Sequence, residues 1–132
     1  MVPPQPTAAQ QQQEITDAIN RGDRNQIRSQ IIAQLNITSE SESAIHLDMA
    51  VNTQLEEVPG GGSYWLISIG DEPLLYPTDQ TLKRYLHYQP TKGIFNYEKY
   101  QVAAPQVLDP ARLARNGPGW QVIAMGTIAV PG

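Results

Sequence analysis

The 132-residue sequence contains no cysteine and only two histidines. The absence of cysteine excludes disulfides, thiolate metal sites and a cysteine nucleophile. It is also typical of a reducing compartment, so we expect a cytoplasmic protein. Neither His46 nor His87 has the spacing of a metal-binding or catalytic-triad motif. Because the sequence offers no nucleophile–base pair, we predict a protein that is not an enzyme and that uses no cofactor.

Long apolar runs and positive charge are scarce as well. No stretch approaches the ~18 apolar residues of a membrane-spanning helix, and the N-terminal residues lack the basic and apolar regions of a secretory signal. The net charge is −4, whereas proteins that bind nucleic-acid polymers normally carry a basic excess. We therefore expect neither a membrane nor a nucleic-acid polymer as partner. A small anionic ligand, which needs only a few local cations, is still compatible with this charge.

The N-terminal quarter of the chain changes character near residue 10. Residues 1–10 contain three prolines and few side chains that can pack, which predicts a disordered leader. Residues 11–132 are expected to form one domain. Within it, residues 11–36 carry apolar side chains at helical spacing, and Asp23 followed by Gln26 resembles a capping box. This pattern predicts two short helices or one bent helix.

The second part of the domain, residues 44–131, has the patterns of short strands separated by turns. Strand patterns occupy 45–51, 64–69, 73–77, 94–97, 100–102 and 120–130. Residues 79–88 are ambiguous between a short helix and a strand, and 105–118 is predicted to be a loop. Prolines in the third of these segments predict an edge strand. The expected fold is therefore α+β, with an N-terminal helical segment packed on a small, strongly bent antiparallel β-sheet or barrel.

Two arginines of the predicted helical segment lie on its apolar side. On an ideal helix that advances about 100° per residue, Arg24 and Arg28 fall within the arc spanned by the apolar residues. Those residues are Ile27, Ile31, Ile32 and Leu35. One interpretation is that both guanidinium groups point into a concave binding surface. The alternative is that they extend from the edge of the core into solvent.

A second basic cluster runs from Lys83 to Lys92. Arg84 and Tyr88 are four residues apart, so they share a face in a helix and also in a strand. A cation beside an aromatic ring, with Lys92 close by, is typical of a site for a ligand with phosphates and a stackable base. The alternative is a tyrosine-rich wall with a solvated basic edge. Trp65 is a further candidate for stacking, with a core position as its alternative.

Several motifs resemble a known family. The runs YWLI at 64–67, LLYP at 74–77, GIF at 93–95 and the closing segment 120–130 resemble a β-rich domain of cyanobacterial proteins. Together with the helical segment, residues 14–131 resemble the cyanobacterial cyclic-di-GMP receptor family. The resemblance implies a non-enzymatic sensor that binds a cyclic dinucleotide and relays the signal to a protein effector such as a transcription regulator. It transfers no ligand contact to a particular residue of this sequence.

The sequence thus predicts a second-messenger receptor for cyclic-di-GMP. The arginines of the helical segment and the basic cluster are expected to supply charge, and the aromatic side chains to stack on the ligand. The expected binding residues are Arg24, Arg28, Trp65, Arg84, Tyr88 and Lys92. The alternative is a ligand-free protein–protein interaction module. The oligomeric state is left open, and a homodimer is compatible with the sequence.

Overall fold

The computed structural model describes residues 7–46, 53–84 and 94–131. In these ranges two helices and a 3₁₀ turn precede the first strand, and two further helices follow it, each between two strands. The helices are α1 (Ala8–Arg21), α2 (Arg24–Ile27), α3 (Ser39–His46) and α4 (Asp79–Arg84), with a 3₁₀ turn at Arg28–Gln30. The strands are β1 (Ile31–Ile37), β2 (Gln54–Val58), β3 (Tyr64–Ile69), β4 (Glu72–Pro77), β5 (Phe95–Tyr100), β6 (Gln106–Asp109), β7 (Ala111–Asn116), β8 (Gly119–Ala124) and β9 (Gly126–Pro131).

Six strands close into an antiparallel barrel in the order β1-β2-β8-β7-β4-β3. A second sheet has the order β5-β9-β6, in which β9 runs parallel to β5 and antiparallel to β6. The predicted α+β class, with helices beside a strongly bent sheet or barrel, is confirmed.

The β3–β4 hairpin forms the centre of the core. Its turn consists of Gly70 and Asp71, both with positive φ (56° and 64°), as a two-residue type I′ hairpin requires. Leu74, Leu75 and Tyr76 are all almost fully buried. Because successive strand residues point to opposite faces, the hairpin is buried on both faces. One face lines the barrel interior and the other faces α1.

Helix α1 is fixed at both ends and along one side. Thr7 and Gln10 form a capping box at its start, with the Thr7 N–H donating to Gln10 Oε1 at 2.8 Å. Its buried residues Ile15, Ala18 and Ile19 recur at a spacing of three and four. The helix packs on β3 and β6. Residues 8–10 therefore belong to α1 and Thr7 caps it, so the predicted leader extends too far toward the C-terminus. Residues 1–6 lie outside the described range.

A buried hydrogen bond connects α1 to the barrel. The hydroxyl groups of Thr16 and Tyr76 are 2.8 Å apart, and Thr16 also donates to the Gln12 carbonyl. Burial raises the pKa of Tyr76 to about 12, because desolvation disfavours the phenolate. The ordinary pKa of a tyrosine, near 10, applies to the unfolded chain. Because the folded-state pKa is higher, the neutral phenol contributes stability that is fully present below about pH 10. This stabilisation is lost as the pH rises through the range between the two values.

We expect a measurable alkaline loss of stability at Tyr76. Between pH 9 and 11 the native protein should lose about 1.4 kcal/mol of unfolding free energy through this residue. Urea denaturation of the native protein and of Tyr76→Phe at both pH values measures the difference. Tyr100→Phe removes an exposed hydroxyl whose hydrogen bond to Glu98 also raises its pKa, and it should change the native pH dependence much less, because solvent screens this exposed group. Parallel pH profiles for the native protein and Tyr76→Phe would contradict the prediction.

Three local predictions are wrong, each for an identifiable reason. The helical interpretation of 11–36 ends too late, because Ile31–Ile37 is strand β1. Ile31 and Leu35 are four residues apart and therefore share a face in a helix and also in a strand. The segment is extended because β1 pairs with both β2 and β3. Ile32, assigned to the apolar side, is 61% exposed.

The sequence pattern predicts a strand at 45–51. The structure instead has α3 at Ser39–His46, where the Thr38 side chain accepts from the Ser41 N–H as an N-cap does. The rest of the predicted strand, residues 47–51, lies outside the described part of the chain.

Two further predictions, both based on prolines, are wrong. Strand β4 is not at an edge, because Leu74 and Leu75 pair with β7 while Pro73 and Pro77 pair only with β3. The predicted loop 105–118 contains β6, β7 and the start of the turn to β8. Pro105 and Pro110 lie immediately before β6 and between β6 and β7, where no ladder donor is lost.

Candidate functional site

A surface cavity of ≈ 360 Å³ lies where the C-terminal end of α1 meets α4 and the residues just before β6. It combines two cationic side chains with apolar ones. Its lining residues are Ile19, Asn20, Arg21, Gly22, Leu82, Lys83, Ala104 and Pro105. We call it the cationic cavity.

The first cation, Arg21, is the last residue of α1. The helix stops there because Gly22 adopts a left-handed conformation with φ 72° and its N–H bonds to the Ile19 carbonyl. Asn20 ties this turn to β6. Its side chain donates to the Val107 carbonyl at 3.0 Å and accepts from the Val107 N–H at 2.7 Å. The position of Arg21 is therefore set by the left-handed turn at Gly22 and by the two hydrogen bonds between the Asn20 side chain and the Val107 backbone.

The second cation, Lys83, is presented by α4. Thr78 begins this helix, because its side chain accepts from the Thr81 N–H at 3.2 Å and its carbonyl from the Leu82 N–H at 2.9 Å. Thr81 and Leu82 are buried. Since Lys83 follows them on the exposed side of the helix, its ammonium group is available at the cavity.

The two cations differ in their surroundings. Arg21 donates to Gln26 Oε1 at 2.6 Å and has Asp23 at 3.8 Å, an exposed ion pair of small energetic value. A guanidinium has five N–H donors, so these contacts leave others free for a ligand. Lys83 has no ion pair with any residue in the described ranges. An anion in the cavity would meet a guanidinium from one side and an ammonium from the other.

A second cavity, of ≈ 300 Å³, lies between α1, α2, the 3₁₀ turn and the end of β3. It is lined mainly by primary amides, with one carboxylate and an apolar floor. The lining residues are Gln11, Glu14, Ile15, Gln26, Gln30 and Ile69. We call it the glutamine cavity. The hydrogen bond from Arg21 to Gln26 connects the two cavities, because each partner lines one of them.

The structure brings none of the expected binding residues whose side chains it describes to the cationic cavity. Arg24 and Arg28 are exposed on α2 and the 3₁₀ turn, and neither lines either of the two cavities. Trp65 is 7% exposed and belongs to the hydrophobic core. The side chains of Arg84 and Tyr88, together with Lys92, lie outside the described part of the structure.

The residues that do line the cavity stand at the edges of the two predicted basic clusters. Arg21 directly precedes the Gly22 break, and Lys83 begins the cluster from 83 to 92. A helix that ends at Gly22 would have singled out Arg21 as a residue exposed at a helix terminus. The helical spacing instead selected Arg24 and Arg28, which follow Gly22.

A cluster of Glu57, Arg115 and Trp120 lies at one end of β2, β7 and β8, where Trp120 is partly buried against the hydrophobic core. We call it the Trp120 cluster. The Arg115 guanidinium carbon is 4.8 Å from the centre of the Trp120 ring. Glu57 accepts from both residues, at 3.3 Å from Arg115 and 3.2 Å from the Trp120 indole nitrogen. Trp and Arg are the residue types that contribute most at protein interfaces.

Comparison of the chain with protein-family models, with curated proteins and with solved structures finds no match. Within the described residues there is no cluster of His, Asp or Glu that could hold a metal ion. None of the described helices has both the length and the apolar character needed to cross a membrane. The functional argument therefore depends on the geometry of the cavities.

Proposed function

We propose that the protein is a receptor for a cyclic dinucleotide, with cyclic-di-GMP as the ligand. The observation that carries the proposal is the meeting of Arg21 and Lys83 at one cavity, although 62 positions separate them in sequence (83 − 21). Two cations match the two negative charges of a cyclic dinucleotide. Guanidinium and ammonium groups bind phosphate through short, charge-assisted hydrogen bonds.

The remaining lining of the cationic cavity favours a nucleotide over a simple inorganic anion. Ile19, Leu82 and Pro105 provide an apolar surface next to the cations, and sugar rings and bases have apolar faces that such a surface can cover. The volume lies within the range of about 300–1,000 Å³ that is typical of ligand pockets. The adjoining glutamine cavity extends the concave surface beyond Arg21.

The proposal includes a cytoplasmic receptor that transmits binding to a protein effector. Helix α1 is suited to this role, because its C-terminal end lines the cationic cavity and its buried side chains pack on β3 and β6. A ligand that holds Arg21 would change the restraint on α1, and α1 is bonded to the barrel through Thr16 and Tyr76.

Titration calorimetry of the full chain with cyclic-di-GMP, cyclic-di-AMP, cyclic GMP and inorganic phosphate tests the function. We expect saturable binding of cyclic-di-GMP in the micromolar range or tighter, and much weaker binding of phosphate, which fills only the cationic part of the surface. Affinity should fall as ionic strength rises, because salt screens exposed cations. Absence of binding to either cyclic dinucleotide would overturn the proposal.

A protein–protein interaction module is the second candidate, and the Trp120 cluster favours it. Glu57 accepts hydrogen bonds from both Trp120 and Arg115, and the Arg115 guanidinium lies over the Trp120 ring, so the exposed part of this cluster is pre-arranged for a partner. If the calorimetry shows no dinucleotide binding, this surface becomes the leading functional feature.

A further inference from the structure

We infer that the glutamine cavity binds a guanine base, and that the Glu14 carboxylate distinguishes guanine from adenine. The inference rests on the proposed function and specifies which part of the surface reads the base. The sequence predicts arginines that supply charge and aromatic side chains that stack, whereas the lining of this cavity adds a carboxylate and amides that can read a base edge.

The polar groups of the cavity match the edge of guanine. Glu14 lies on the face of α1 that carries Gln11 and Ile15, and it has no ion pair or hydrogen bond within the described residues. An ionised carboxylate is an acceptor with two oxygens. Guanine presents two adjacent donors, N1–H and the N2 amino group, which a carboxylate can accept together.

The amides complete the recognition. Gln26 and Gln30 lie four residues apart, on α2 and the following 3₁₀ turn, and they line the same cavity. A primary amide donates through its nitrogen and accepts through its oxygen, so one of them can donate to guanine O6. Ile15 and Ile69 form an apolar floor on which a planar base can lie.

Adenine is the wrong partner for this arrangement. Its N1 is an acceptor and it carries no amino group at C2, so a carboxylate facing that edge would meet a lone pair and an unpaired C–H. A bound base would cover the Glu14 carboxylate, and an acceptor that is covered without gaining a donor makes a hydrogen-bonding site reject a near-isostere.

The position of the cavity fits a dinucleotide. Gln26 accepts from Arg21 at 2.6 Å, and Arg21 lines the cationic cavity. A ligand whose phosphates contact Arg21 and Lys83 can therefore extend one base past Gln26 into the glutamine cavity. One base and the phosphates of the same ligand would then occupy the two neighbouring cavities, which the Arg21–Gln26 hydrogen bond connects.

The test uses two kinds of probe with the full chain. Guanosine, inosine and adenosine, which carry no phosphate, are titrated while the side-chain amide signals of Gln26 and Gln30 are followed by NMR. We expect guanosine to shift these signals, inosine, which lacks the N2 amino group, to shift them at higher concentration, and adenosine to leave them unchanged. Equal shifts with adenosine, or none with guanosine, would overturn the inference.

The second probe is cyclic-di-GMP itself. Glu14→Gln should weaken its binding about 10-fold, the scale of one bidentate base contact. It should strengthen cyclic-di-AMP binding, because the amide nitrogen can donate to adenine N1. Glu56→Gln, an equivalent change at an exposed residue of β2 that lines neither cavity, should have no effect. Tight cyclic-di-GMP binding that Glu14→Gln leaves intact would refute the inference but not the receptor proposal. Guanosine binding with no added affinity for cyclic-di-GMP would refute the receptor proposal alone.

Discussion

Replacing both cations of the cationic cavity, in Arg21→Ala/Lys83→Ala, should weaken cyclic-di-GMP binding at least 100-fold. Each charge-assisted hydrogen bond to phosphate contributes about 1.5–3 kcal/mol, and a 100-fold loss corresponds to roughly 2.7 kcal/mol. Thermal stability should change little, since both side chains are exposed and the ion pair of Arg21 with Asp23 is at the surface. Calorimetry measures the affinity, and a thermal melt measures the stability.

A matched double variant separates the cavity from overall charge. Arg28→Ala/Lys99→Ala also removes one guanidinium and one ammonium, and both residues are exposed away from the cationic cavity. This variant should bind cyclic-di-GMP at native affinity. An equal loss in the two double variants would show that long-range electrostatics, or a site around Arg28, accounts for binding, and the cavity assignment would then be wrong.

Much of the barrel could be predicted from the sequence, because its strongest signals are local. The hairpin of β3 and β4 combines a buried apolar run with Gly70-Asp71, which adopts the one turn type that favours positive φ at both positions. The end of α1 at Gly22 and the start of α2 at Asp23 follow equally local rules of capping. These elements can therefore be predicted without knowledge of the segments that pack against them.

The errors arose where a tertiary partner decides between two local patterns. Residues 31–37 fit a helix and a strand equally well as far as Ile31 and Leu35 are concerned. Only the neighbouring strands β2 and β3 select the extended form. The side chains of Gln34 and Asn36 then accept from the backbone N–H groups of Gly62 and Ser63, at 2.9 and 2.8 Å. No property of the segment alone reveals these acceptor roles.

The candidate site was harder to predict than the fold, because it depends on the approach of distant segments. The sequence identified two basic clusters, but Arg21 and Lys83 meet only because α1 packs against β6 and α4 follows β4. The glutamines were even less informative. In sequence Gln11, Gln26 and Gln30 are part of a polar, glutamine-rich segment, and their common cavity exists only after α2 folds back along α1.

Gly126 illustrates a close approach that the sequence marks only weakly. An isolated glycine at the start of a strand is compatible with a tight backbone contact. In the structure its N–H donates to the Ile94 carbonyl at 3.0 Å, so β9 begins directly beside β5. A Cβ at this position would lie 2.4 Å from the Asp109 carbonyl oxygen and 2.7 Å from the Ala111 nitrogen.

Gly126→Ala should therefore destabilise the protein by about 3 kcal/mol or more, the upper end of what overpacking costs. The obstructing atoms belong to the backbone between β6 and β7, so relief requires the second sheet to move relative to the barrel. Urea denaturation of the native protein and the variant measures the loss. Gly60→Ala is the control, because a Cβ there meets nothing within 4 Å, and it should be neutral or slightly stabilising through the unfolded chain. Similar unfolding free energies for the two variants would contradict the prediction. They would mean that the backbone at the junction of β6, β7 and β9 can move enough to accommodate a Cβ at position 126.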